Sequence, residues 1–131
     1  MLIDPKIQEK LKERIDTKRC HFEEIKNGIK YTMTVSGSSG NYFCIDDKSV
    51  GLVIFDIKNL ELRICQFQIN PKHKGYGRIF YELLRDYAKN TYKCNKVIAS
   101  SLTEEGNGFF EHMGLTHADK QKDPDVRWGD I

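Results

Sequence analysis

Asn70-Pro71-Lys72-His73-Lys74-Gly75-Tyr76-Gly77-Arg78 joins a β-type run over 60–69 directly to a helical one, and its reading decides the fold. Behind it Ile79, Phe80, Leu83, Leu84, Tyr87 and Ala88 share one face of a helix that reaches about residue 90. Gly75 and Gly77 let the backbone turn without Cβ clashes, which leaves several N–H groups converging at the positive start of that helix. Such a cradle suits an anion, and a pyrophosphate is its natural guest. The loop lacks the Gly-Lys-Ser/Thr ending of a nucleotide P-loop and the third glycine of a dinucleotide fingerprint. Taken alone, the two glycines read better as an ordinary tight turn than as a ligand loop.

Working outward, 22–25, 29–35, 42–45 and 50–57 are further short β-type runs in front of 60–69. Asn27-Gly28, the Ser-Gly-Ser-Ser-Gly stretch at 36–40, Asp46-Asp47 and Lys58-Asn59 separate them, so the segment is an antiparallel meander. Asn27-Gly28 is a strong hairpin turn, whereas 36–40 reads as a loop with no catalytic part. Upstream, Asp4 as N-cap and Pro5 as first residue open an amphipathic helix over 5–16, with Ile7, Leu11 and Ile15 on its apolar face. Downstream, 96–100 reads as a buried strand, about 103–112 as a second helix closed by Gly114, and 115–117 and 126–128 as weak strands. The expectation is one α/β domain over 1–131, with a mixed, mostly antiparallel sheet flanked by helices.

Composition narrows the function. Lys and Arg total 21 against 19 for Asp and Glu, so the net charge of +2 gives no electrostatic reason to expect nucleic acid or a membrane as main partner. The first sixteen residues carry no apolar run able to export or anchor the chain, which is expected to stay where it is made, in the cytoplasm or nucleus. Cys20, Cys44, Cys65 and Cys94 lie singly, without metal-ligand spacing, and are expected to be reduced, mostly packed thiols; no metal is expected. Cys20 beside His21 is one thiol with one imidazole, too little for a metal or an oriented nucleophile.

Lys72-x-x-Gly75-x-Gly77 resembles the Gln/Arg-x-x-Gly-x-Gly/Ala loop of the GNAT superfamily of N-acetyltransferases, with Lys in the first position instead of Gln or Arg. The resemblance runs on to Gly106-Asn107-Gly108-Phe109-Phe110-Glu111-His112-Met113-Gly114-Leu115, similar to the family's later helix, and covers about 50–115. It implies a GNAT-like fold and acetyl-CoA as co-substrate, its pyrophosphate held by Lys72, His73, Lys74, Gly75, Tyr76, Gly77 and Arg78. Phe67 and Ile69 would continue the strand edge against pantetheine, with Phe109 and Phe110 on its other side. Within the superfamily the Lys-Gly-Tyr-Gly loop is most similar to the histone and protein lysine acetyltransferase branch. That likeness implies Glu61 as general base and the backbone N–H of Cys65 as donor to the acetyl carbonyl. The family usually places a strand and two helices before its meander, and here one helix and a hairpin stand there instead.

Acetyl transfer needs a deprotonated amine, a polarised thioester carbonyl and a stabilised thiolate. Glu61, between Leu60 and Leu62, reads either as a desolvated base that collects the amine proton directly or through water, or as a solvent-facing residue just after the Lys58-Asn59 turn. The Cys65 side chain is expected to be packing only. Many members use a tyrosine acid where this chain has Phe110, so no general acid is assigned. The acceptor expected first is a protein or peptide lysine. A small amine such as a polyamine or aminosugar, or no turnover by a coenzyme A-binding module, are the alternatives.

Overall fold

The computed structural model describes residues 20–36, 40–70, 75–100, 102–117 and 121–131. The helix expected over 5–16, the centre of the 36–40 loop, and Lys72, His73 and Lys74 lie outside the described residues. The described strands form one sheet in chain order: β1 (Cys20–Lys26), β2 (Ile29–Ser36), β3 (Gly40–Ile45), β4 (Lys48–Lys58), β5 (Glu61–Ile69), β6 (Lys96–Ala99) and β7 (Arg127–Asp130). Two helices interrupt them, α1 (Tyr76–Tyr92) between β5 and β6 and α2 (Glu104–His112) between β6 and β7. Every neighbouring pair is antiparallel except β5 with β6, which the α1 crossover makes parallel.

Three two-residue hairpin turns carry the meander, and both central residues have positive φ in each: Asn27 54° and Gly28 77°, Asp46 48° and Asp47 67°, Asn59 55° and Leu60 62°. Paired positive φ matches the twist of the strands on either side. Gly, Asn and Asp tolerate that region, but leucine does not. The sequence had placed the third turn on Lys58-Asn59 with Leu60 in the strand. Because Lys58 pairs with Glu61, the ladder closes around Asn59 and Leu60 and leaves Leu60 exposed in the turn.

One face of the sheet packs on α1, whose Phe80, Tyr81, Leu83, Leu84 and Ala88 are buried against Tyr31, Met33, Phe43, Val53, Leu62 and Ile64. The rings of Phe43 and Phe80 stack at 4.4 Å. Each such burial is worth about 1.5–3 kcal/mol, and the contiguity of this cluster holds the meander to the βαβ half. Helix α2 starts with Thr103 Oγ1 accepting from the Gly106 N–H at 3.1 Å. It ends as expected at Gly114, whose φ of 90° lets the Leu115 N–H reach the Phe110 carbonyl at 2.9 Å. The strand expected over 115–117 is a single bridge, Thr116 to Trp128, because the chain there meets β7 at one point only; β7 itself begins at Arg127.

Candidate functional site

Strand β5 is longer than its parallel neighbour, and that mismatch makes the site. Pairing with β6 runs from Glu61 opposite Lys96 to Ile64 opposite Ala99, and the Ser100 N–H bonds the Ile64 carbonyl at 2.9 Å. Among the described residues, 66–69 pair with β4 alone, so one strand edge stands open beside the helices. At the start of that edge the β4–β5 register shifts: Ile54 faces Gln66 and Phe55 faces Ile64, with no residue of β4 opposite Cys65. Such a bulge redirects backbone groups that a regular ladder would consume.

A groove of about 1120 Å³ follows the open edge, walled by the ends of β4 and β5, the start of α1 and the length of α2. It is large enough for an extended ligand. Phe67, Ile69, Phe109 and Phe110 line it, as do Gly75, Tyr76, Gly77 and Arg78. The phenylalanines form one aromatic wall: Phe67 stacks on Phe109 at 5.4 Å and meets Phe110 edge-on at 5.8 Å. Tyr81 backs this wall, edge-on to Phe110 at 5.7 Å, and burial pushes its hydroxyl up to about 12 against the opposing pull of Arg85.

The two loop glycines serve different ends. Gly75 has φ 79° as the residue preceding α1, a left-handed turn with open space where a Cβ would be. Gly77 lies inside the helix, where a Cβ would stand 3.1 Å from Phe109 Cε1, so its bareness admits the aromatic wall. Among the described residues no side chain caps α1 and its first turn holds no acid, which leaves its leading N–H groups and positive end turned to the groove.

The catalytic pair expected from sequence sits differently. Cys65 is exposed on the face opposite the core, its Sγ 3.5 Å from the Ile54 carbonyl, because it alternates with the buried Leu62 and Ile64; the expected packing role is corrected. Cys20 is exposed as well, whereas Cys44 and Cys94 are buried and burial pushes their thiols up. Glu61 lies four residues earlier, roughly 13 Å along a strand, and does not line the groove. Its apolar surroundings are absent: Leu62 turns into the core and Leu60 into solvent. Instead Lys58 and Lys96 flank Glu61 across the ladder, and Arg63 donates to Glu61 Oε2 from Nε at 3.2 Å and Nη2 at 3.0 Å.

Sequence reading missed Gly51, Tyr42 and Thr103, all of which line the groove. A Cβ on Gly51 would collide with the Gln68 carbonyl, and a glycine inside the 50–57 strand run was the available signal. Among the described residues no group of three or more His, Cys, Asp or Glu could hold a metal, and no helix is long and apolar enough to cross a membrane.

No family model and no curated protein matches the sequence. Solved structures do match the fold. The PaiA N-acetyltransferase of Thermoplasma acidophilum, crystallised with coenzyme A, superposes with a TM-score of 0.59 at 13% identity over 70% of this chain and 60% of its own. The N-acetyltransferase PseH of Campylobacter jejuni gives 0.52 at 22% identity, over 72% of this chain and 68% of its own. A GNAT-family acetyltransferase of Staphylococcus aureus gives 0.57 at 8% identity, over 70% of this chain and 67% of its own. The chain thus has the fold of these acetyltransferases and spans about three fifths to two thirds of their lengths.

Proposed function

We propose that this protein is an acetyl-CoA-dependent N-acetyltransferase acting on a primary amine. The observation that carries the reading is the open edge of β5 between an aromatic wall and an uncapped helix start. An extended ligand with amide groups and a terminal pyrophosphate fits that order of features. Its amides meet unpaired strand backbone, its arm meets Phe67, Phe109 and Phe110, and its phosphates meet the α1 amides with Arg78 beside them. Lys72, His73 and Lys74 complete the phosphate loop in this proposal. Acetyl-CoA supplies the activated acetyl group.

The remaining chemistry falls to this chain's residues. Cys65, freed from a cross-strand partner, offers its N–H to the developing negative charge on the acetyl oxygen. Glu61 and Arg63 lie on the same side of β5 as Cys65, and Glu61 takes the amine proton through water, since the strand distance excludes direct contact. A lysine of a protein or peptide is the acceptor this reading puts first. A small amine is the second reading, favoured by an observation: Tyr42, Ser49, Leu52 and Gln68 give the far wall of the groove no charge with which to attract a basic peptide.

Thermal unfolding with and without acetyl-CoA tests the cofactor. At a hundredfold its dissociation constant the ligand should stabilise the fold by roughly 2.7 kcal/mol, and bulky side chains at Gly75 and Gly77 should remove the shift. No shift at millimolar acetyl-CoA defeats the proposal. Glu61→Gln should then cut turnover with amines while coenzyme A still binds; equal turnover would leave the base unassigned to Glu61. Comparing a lysine peptide with free polyamines and aminosugars decides the acceptor.

A further inference from the structure

Arg127 is a buried cation, 8% exposed, on a strand of four residues at the sheet's edge. Burying a guanidinium is costly unless its donors are used. Here they are used on α2. Nε donates to Asn107 Oδ1 at 3.1 Å, Nη1 to the Leu115 carbonyl at 2.9 Å, and Nη2 lies 3.5 Å from Glu111 Oε2. Those three partners span the helix from its first turn, through its last, to the residue just beyond its glycine terminator.

The geometry also separates two faces of α2. Asn107 and Glu111, one helical turn apart, do not line the groove, while Gly106, Phe109, Phe110 and Met113 do. Arg127 therefore grips the side of the helix turned away from the ligand, and the aromatic wall is carried on the other side. A nine-residue helix is too short to persist on its own, and Phe110 is its one buried side chain, so its placement depends on such outside contacts.

We infer that Arg127 is a positioning residue for cofactor binding, clamping α2 so that Phe109 and Phe110 stay packed on Phe67 in the aromatic wall of the groove. The inference rests on the acetyl-CoA reading above. Asn107 is the remote lever that exposes it, since it bonds Arg127 and does not line the groove. Loss of either partner leaves the other's polar group without its bond and lets the helix shift; displacements of about half an ångström in such supporting contacts are enough to degrade a site.

Calorimetric titration of coenzyme A into the natural chain and three variants tests it. Asn107→Ala should raise the dissociation constant about fivefold and Arg127→Met more than about tenfold. Asn107→Asp, which keeps an acceptor for Arg127, should stay within about twofold of the natural chain. In steady-state turnover the KM for acetyl-CoA should rise with the KM for the amine unchanged, a split that general destabilisation would not produce. If Arg127→Met does not fold, Asn107→Ala against Asn107→Asp decides alone. Equal affinity for Asn107→Ala and a natural chain that binds overturns the clamp only. No binding by the natural chain overturns the cofactor reading and the clamp with it.

Discussion

Both helices begin on the rim of the groove, yet their first turns are finished in opposite ways. Helix α2 satisfies itself: Thr103 caps the Gly106 N–H, and Glu104 and Glu105 set negative charge against the helix dipole. Helix α1, nearly twice as long, starts from bare Gly75 with no capping side chain among the described residues and no acid in its first turn. A glycine start forgoes a few tenths of a kcal/mol relative to a capping side chain, a cost that makes sense where a ligand supplies the missing acceptor. In the proposed function the difference gives the anionic end of the ligand to α1 and leaves α2 to carry the apolar wall.

Giving α1 the acid that α2 has should produce the largest effect. Arg78→Glu places a carboxylate in the first turn of α1 and removes a cation from the groove. It should weaken coenzyme A about a hundredfold, or ~2.7 kcal/mol, measured by titration calorimetry. Stability should change by no more than a few tenths of a kcal/mol, because the exposed Arg78–Glu82 pair at 3.2 Å becomes a like-charge pair one turn apart while the new carboxylate meets the positive end of the helix. Unchanged affinity would break the assignment of the anion to α1.

Tyr81 is where the two helices meet, and it gives the comparison a pH axis. Its hydroxyl titrates near 12 in the folded chain because it is buried, against 10 when unfolded. The folded state keeps its proton longer, so the stability is intact below pH 10 and is lost as pH rises from 10 towards 12, by about 2 kcal/mol. Urea midpoints of the natural chain should drop over that range, and Tyr81→Phe should flatten the drop. An equally steep alkaline limb in Tyr81→Phe would place the titrating group elsewhere.

Taking the cap from α2 should act on the fold more than on the ligand. Thr103→Ala should cost about 1 kcal/mol, a fall of roughly 3–6 °C in Tm, with an affinity change far below that of Arg78→Glu. Comparable losses of affinity in the two variants would erase the distinction between the helix starts.

What the sequence revealed and what it hid divide along the range of the interactions. The meander, the βαβ unit and the ends of α2 were legible because alternation, helical spacing, Asn27-Gly28 and Gly114 act within a few residues. The glycine loop was legible for the same reason, though not that Gly77 answers to Phe109, thirty-two residues away. Glu61 was misjudged in its surroundings because its neighbours in space, Lys96 and Arg63, are set by strand register and not by Leu60 and Leu62. Arg127 gave no signal at all: a buried arginine in a short edge strand is defined by partners on another element.

The smallest effect supplies the control, a site far from both helix starts. Leu60 holds φ 62° in the β4–β5 turn and is 49% exposed, so its side chain has little packing to lose. A left-handed leucine costs about 1–2 kcal/mol, while glycine gives back about 0.5–1 kcal/mol as extra freedom of the unfolded chain. Leu60→Gly should therefore stabilise the protein by about 0.5 kcal/mol in urea unfolding, with coenzyme A affinity unchanged. A loss of stability would mean that Leu60 packs against something its exposure conceals. A change in affinity would mean that the Asn59-Leu60 turn, which sets where Glu61 and the rest of β5 begin, also sets where the bulge at Cys65 falls beside the groove.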